Sequence, residues 1–274
     1  MPQTDDRPIG VFDSGVGGLT VMRSIVETLP REQVVYLGDT ARVPYGNRNA
    51  ETVRRYARNA TDLLREREIK ALVVACNTAS AHALNALVEA YDVPVIGVIE
   101  PVARRAVATT ESGVVGVMGT RGTVRSGCYP EAIRAIDSVC TVEQVASPLL
   151  VPLAEEGWLD DPATERIARH YIDQLSEPDL DTLILGCTHY PILSATLRRL
   201  TEEHLEMPVP LLDSASATTR ALVDVLDAES IRTQAKDGRE LEFLLTDLSP
   251  AFVEATERFF GNRPDEITHV DIVA

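Results

Sequence analysis

The chain has no hydrophobic run near the roughly 20 apolar residues needed to cross a bilayer. Its first residues, MPQTDDRP, lack the basic start and apolar core of a secretory signal. Both absences lead to the expectation of a cytoplasmic protein without a membrane partner. Basic residues are scarce: 26 Lys and Arg stand against 42 Asp and Glu, for a net charge of −16. A field of that sign disfavours duplex nucleic acid, and an anionic ligand needs a local pocket of N–H donors to meet it. The only lysines are Lys70 and Lys236, neither at a strand end, which argues against a pyridoxal Schiff base. No GxGxxG fingerprint follows a strand, so dinucleotide binding is a weak reading. Cysteine is sparse, four in 274 residues, with no CxxC pair, so zinc and redox-exchange motifs are absent and the thiols are expected to stay reduced.

What is present is a regular alternation of short apolar runs with helical patterns. Ile9–Phe12, Val34–Leu37, Ala71–Ala75, Val95–Val98, Val114–Met118, Thr141–Val145, Leu183–Leu185 and Pro210–Asp213 read as strands. Between them, Leu19–Leu29, Glu51–Glu68, Thr78–Tyr91, Val102–Thr109, Ser126–Ile136, Pro162–Leu175, Ile192–Leu200 and Ser214–Leu226 read as helices, and Arg239–Thr246 and His269–Val273 as late strands. This is the pattern of an α/β fold with parallel sheets.

Two stretches stand out. LILGCTHYP (Leu183–Pro191) and LVVACNTAS (Leu72–Ser80) each run from an apolar strand through a small residue to a cysteine with polar neighbours. GVFDSGVGGLTV (Gly10–Val21) and GVMGTRGTV (Gly116–Val124) are likewise paired, each a strand, a Gly-rich turn and a helix start. The two pairs are separated by nearly the same distance along the chain, which indicates an internal duplication. The expected architecture is two similar parallel-sheet α/β domains related by a pseudo-twofold, with the active site between them. Residues 1–98 and 211–274 form the first domain and 99–210 the second.

Two thiols on a common cavity suit one task in particular. One removes a proton from one face of a carbon while the other delivers a proton to the opposite face. An unperturbed thiol, with a pKa of about 8.5, is partly ionised at neutral pH, so both protonation states are within reach. Cys76 and Cys187 are the candidates, with His189 and Asp13 tuning them. Asp13 equally fits as a helix N-cap. Cys128 and Cys140 lack such settings and read as structural. A thiol hydrolase using Cys187 and His189 leaves Cys76 without a role. A non-catalytic binding or regulatory protein on the same scaffold is the remaining class.

Five motifs, DSGVGGLTV (Asp13–Val21), GDTARVPYG (residues 38–46), ACNTAS (Ala75–Ser80), GVIEP (Gly97–Pro101) and GCTHYP (Gly186–Pro191), resemble in kind and order those of the glutamate racemases of the aspartate/glutamate racemase superfamily. The resemblance implies cofactor-independent interconversion of L- and D-glutamate, with D-glutamate feeding peptidoglycan synthesis, no metal, and a homodimer. Aspartate or hydantoin is the alternative substrate. Residue by residue, it implies Cys76 as base toward D-glutamate assisted by Asp13, and Cys187 as base toward L-glutamate assisted by His189, with Glu155 as a further acidic residue. It implies substrate contacts from Asp13, Ser14, Tyr45, Gly46, Asn77, Thr78, Thr188 and His189, with Thr120 and Thr123 added.

Overall fold

In the computed structural model, which describes residues 5–234 and 240–272, the strands form two parallel sheets. The first contains β1 (Ile9–Asp13), β2 (Val34–Gly38), β3 (Ala71–Val74), β4 (Val95–Gly97), β9 (Leu241–Leu245) and β10 (Thr268–His269), in the order β10-β9-β2-β1-β3-β4. The second contains β5 (Val114–Gly119), β6 (Thr141–Ala146), β7 (Thr182–Gly186) and β8 (Leu211–Asp213), in the order β6-β5-β7-β8. Remove β9 and β10, and both sheets place their first strand beside their second and third, with the fourth outside the third. That shared order is the duplication in three dimensions. β1, β2, β3 and β7 are buried along their whole length, as sheets covered on both faces require.

The helices are α1 (Leu19–Thr28), α2 (Ala50–Arg65), α3 (Asn77–Ala90), α4 (Ile99–Thr109), α5 (Arg121–Ser126), α6 (Cys128–Ile136), α7 (Leu150–Glu155), α8 (Pro162–Ile172), α9 (Ser194–Leu205), α10 (Ser214–Ala228) and α11 (Pro250–Phe260). Side chains close several N-termini: Asn49 on α2, Asp161 on α8, Asp213 on α10 and Ser249 on α11 each accept a first-turn N–H.

Three expectations need correction, and one element is new. The helix expected over Ser126–Ile136 is two helices, because Gly127 takes the left-handed conformation at φ +70° and ends α5. The expected bounds put residues 211–213 of Pro210–Asp213 in the first domain. That strand, β8, pairs with β7, so the second sheet runs to Asp213 and the return follows it. α11 was not anticipated at all. Asp13 does not cap α1: the N-cap is Gly18, and Asp13 turns back onto its own loop. Arg239 and Val273, at the ends of the two late strands, lie outside the described residues. Among the described residues no helix is long and apolar enough to cross a membrane.

Candidate active site

The two sheets bring their carboxyl strand ends to one cavity of about 360 Å³. Such ends are where open α/β sheets place ligands. Cys76 follows β3 and Cys187 follows β7, equivalent positions in the two halves, and both line the cavity. Ser14, Tyr45, Gly46, Asn77, Thr78, Thr120, Glu155, Thr188 and His189 line it too, so eleven of the thirteen residues singled out from sequence meet there. Asp13 and Thr123 do not: both are wholly buried behind the wall.

On the first side, Cys76 is the N-cap of α3, and its sulfur accepts the Ala79 N–H at 3.4 Å. Ser14 Oγ lies 3.3 Å from the same sulfur. Burial, and then the nearby Asp13 carboxyl, push the Cys76 thiol up to about 12, so it holds its proton at neutral pH. Asp13 Oδ2 accepts the Gly15 N–H at 2.9 Å. Burial raises the Asp13 pKa, and the His189 charge opposes that rise.

On the second side, Cys187 Sγ lies 3.8 Å from His189 Nδ1, and His189 Nε2 lies 2.9 Å from Glu155 Oε1. Burial is the largest influence on His189 and lowers its pKa. The hydrogen bonds to Cys187 and Glu155, with their charges, more than offset it and hold the ring at about 10. His189 is therefore an imidazolium between the Cys187 sulfur and the Glu155 carboxyl group. The two halves thus differ: one sulfur sits beside a buried carboxyl group, the other beside a cation.

Adjacent glycines make room for both His189 and Asp13. A Cβ on Gly17 would lie 2.3 Å from His189 Nδ1, and one on Gly18 would lie 2.4 Å from Asp13 Cβ. Neither glycine has a left-handed φ, so the requirement is close approach.

The polar wall is built from small side chains. The hydroxyls of Thr78, Thr120 and Thr123 form one cluster, 2.9 Å between Thr78 and Thr120 and 3.1 Å between Thr120 and Thr123. Thr123 supports the other two from behind. Asn77 Nδ2 donates to the Tyr129 hydroxyl at 2.8 Å, which anchors it to α6. The Tyr45 loop is braced by buried Asp39, which accepts from the Tyr45 hydroxyl, from Arg42 Nε at 2.6 Å and from the Thr246 hydroxyl at 3.0 Å.

Sequence reasoning missed the apolar wall, formed by Val43, Pro44, Pro148, Leu149, Val151 and Pro152, because such residues carry no chemical signature of their own. It also missed Arg121, the first residue of α5, whose place directly after Thr120 was a usable signal. Among the described residues no group of three or more His, Cys, Asp or Glu side chains is placed to hold a metal ion.

Residues 9–222 match the Asp/Glu/Hydantoin racemase family. Over 269 residues the chain is 47% identical to the glutamate racemase of Geobacter metallireducens, covering 98% of both proteins. It is similar to the crystal structure of a glutamate racemase isoform from Bacillus anthracis, with a TM-score of 0.91 and 38% identity over 97% of both chains. It is also similar to that of the Francisella tularensis glutamate racemase in complex with D-glutamate, with a TM-score of 0.90 and 32% identity over 98% of both chains.

Proposed function

The chain belongs to the Asp/Glu/hydantoin racemase family, and from that premise we propose that it interconverts L- and D-glutamate by acid–base chemistry of Cys76 and Cys187, supplying D-glutamate for peptidoglycan synthesis. One observation carries the reading: two thiols at equivalent strand ends of two duplicated sheets share one cavity while sitting in opposite electrostatic settings. The likeness to a relative solved with D-glutamate favours glutamate over aspartate or a hydantoin.

For L-glutamate, Cys187 as thiolate takes the α-proton and becomes a thiol. A neighbouring cation is the setting in which a thiolate is formed and kept. The electron pair left on the α-carbon takes the proton of the Cys76 thiol from the opposite face, and Cys76 becomes the thiolate. D-glutamate leaves with inverted configuration, and the reverse reaction runs from the exchanged protonation state. Because burial and Asp13 keep Cys76 protonated, the resting site is set for L-glutamate. The hydroxyls of Ser14, Thr78, Thr120 and Thr188 and the free N–H groups at the start of α3 bind the two carboxylates. The same fixed donors meet the charge that grows on the α-carboxylate as the proton departs.

The test is α-proton exchange and racemisation in deuterated buffer, with L- and D-glutamate offered separately. Wild type is expected to racemise both without added cofactor, and Cys76→Ala and Cys187→Ala to stop. Continued racemisation by both variants refutes the two-thiol mechanism. A wild type that ignores glutamate and racemises aspartate or a hydantoin refutes the substrate assignment alone.

A further inference from the structure

α11 belongs to the segment that completes the first sheet, yet two adjacent residues near its end reach into the Cys187 side of the site. Arg258 Nη1 donates to the backbone carbonyl of Glu155, the last residue of α7. The final carbonyls of a helix lack partners within it, and a guanidinium there is favoured by the helix dipole as well as by the hydrogen bond. Gly157, two residues on, has φ +75°, and a Cβ on it would lie 2.8 Å from Arg258 Cζ and Nε, so the backbone is shaped around the guanidinium. The next residue, Phe259, is 1% exposed and sets its ring edge-on to His189, with centroids 5.0 Å apart and planes at 73°. Arg258 therefore grips the backbone of Glu155, and Phe259 fixes the plane of the imidazole that Glu155 holds at 2.9 Å.

The Cys76 side has a different construction. Its sulfur is held by Ser14 and the Ala79 N–H, and Asp13 by the Gly15 N–H, all within the strand-to-helix turns of its own half.

We propose that Arg258 and Phe259 are positioning residues for the Cys187 half of the site alone: α11 fixes where Glu155 and His189 stand, and so governs proton transfer at one face of the substrate. The inference rests on the two-thiol reading above. Neither residue touches substrate; each acts through the Glu155–His189 pair.

The discriminating measurement is the primary isotope effect on kcat/KM for α-deuterated L-glutamate and, separately, for α-deuterated D-glutamate. Overall catalytic efficiency cannot separate the directions, because the racemisation equilibrium ties the two values together. The isotope effects can. Deuterium leaves L-glutamate at Cys187 and D-glutamate at Cys76. Loosening the Cys187 half makes its proton transfer the slower step. Arg258→Met and Phe259→Leu are therefore expected to lower kcat by about tenfold, to raise the isotope effect with L-glutamate and to lower it with D-glutamate. Arg258→Lys, which keeps a donor and its charge, is expected to move both effects back toward wild type. Isotope effects that are unchanged, or that move together in both substrates, overturn the inference while wild type still racemises glutamate. A wild type that exchanges neither enantiomer overturns the two-thiol reading and this inference with it. Arg258 is only half-buried, so Arg258→Met keeps the test usable if Phe259→Leu fails to fold.

Discussion

Replacing Gly17 by alanine adds one methyl group at the point where the first half of the molecule presses on the second. The added Cβ would stand 2.3 Å from Nδ1 and 2.5 Å from Cε1 of His189, and 2.5 Å from the Thr188 hydroxyl. Non-bonded heavy atoms settle at about 3.5 Å, so the ring must recede by roughly 1 Å or α1 must shift by as much. The Cys187–His189 contact is already 3.8 Å and does not survive a further ångström, and the 2.9 Å link to Glu155 must stretch or swing. Misplacement on that scale lowers rates by about 10²-fold, while overpacking lowers stability by about 1–3 kcal/mol. Gly18→Ala, whose Cβ would lie 2.4 Å from Asp13 Cβ, perturbs the other thiol's partner and serves as the paired experiment. Optical rotation followed from each enantiomer, together with thermal unfolding, reads both quantities. If Gly17→Ala racemises within about threefold of wild type and melts at the wild-type temperature, the close approach is not what holds the imidazole, and the reasoning fails.

His189, held at about 10 against an ordinary 6.5, makes stability depend on pH. Its contribution is complete below pH 6.5, where both states are protonated, and is lost as pH rises toward 10 because the unfolded chain releases its proton first. The gap in denaturation midpoint between wild type and His189→Asn should narrow across that window, and a constant gap refutes the imidazolium. Lys70 and Glu32 form an ion pair at 2.6 Å, with side chains 0% and 3% exposed, far along the strands from the cavity. Lys70→Met leaves Glu32 buried and unpaired and should destabilise by about 3–5 kcal/mol, whereas adding Glu32→Leu should restore most of the loss in a urea titration. Tyr45→Phe removes the hydroxyl that Asp39 accepts and should raise KM about tenfold more than it lowers kcat, as read from initial rates.

The parallel sheets were legible because their strands are short apolar runs that end in small residues or turns, and few competing patterns share that form. The pairing of Cys76 with Cys187 was legible because duplication repeats the local context, even though the two lie in different sheets. α11 was missed although PAFVEATERFF carries a helical stripe, Phe252, Ala255, Phe259 and Phe260 recurring at i, i+3, i+7 and i+8. Its stop and start signals, Ser249 and Pro250 before it and Gly261 after it at φ +90°, were also present. Glu155 could be singled out by resemblance, but its bond to His189 depends on α7 packing against the turn that follows β7, which no local pattern encodes. Arg258 was invisible for the same reason: what it grips is a backbone carbonyl, and a carbonyl has no identity in sequence.

β9 inserts beside β2 although the two are separated by most of the chain, and Thr246, just past β9, supplies a hydroxyl to the Asp39 that braces the Tyr45 loop. During synthesis on the ribosome, the four strands of the second sheet therefore emerge and can pair before the first sheet has all of its members. Until residues 241–245 arrive, β2 presents an open edge to any extended chain nearby. A ribosome stalled or a message cut short before that point releases a product that carries Cys76 and Cys187 yet lacks β9 and β10 of its first sheet. For quality control, the first sheet counts as closed at β2 only once residues 241–245 have been made.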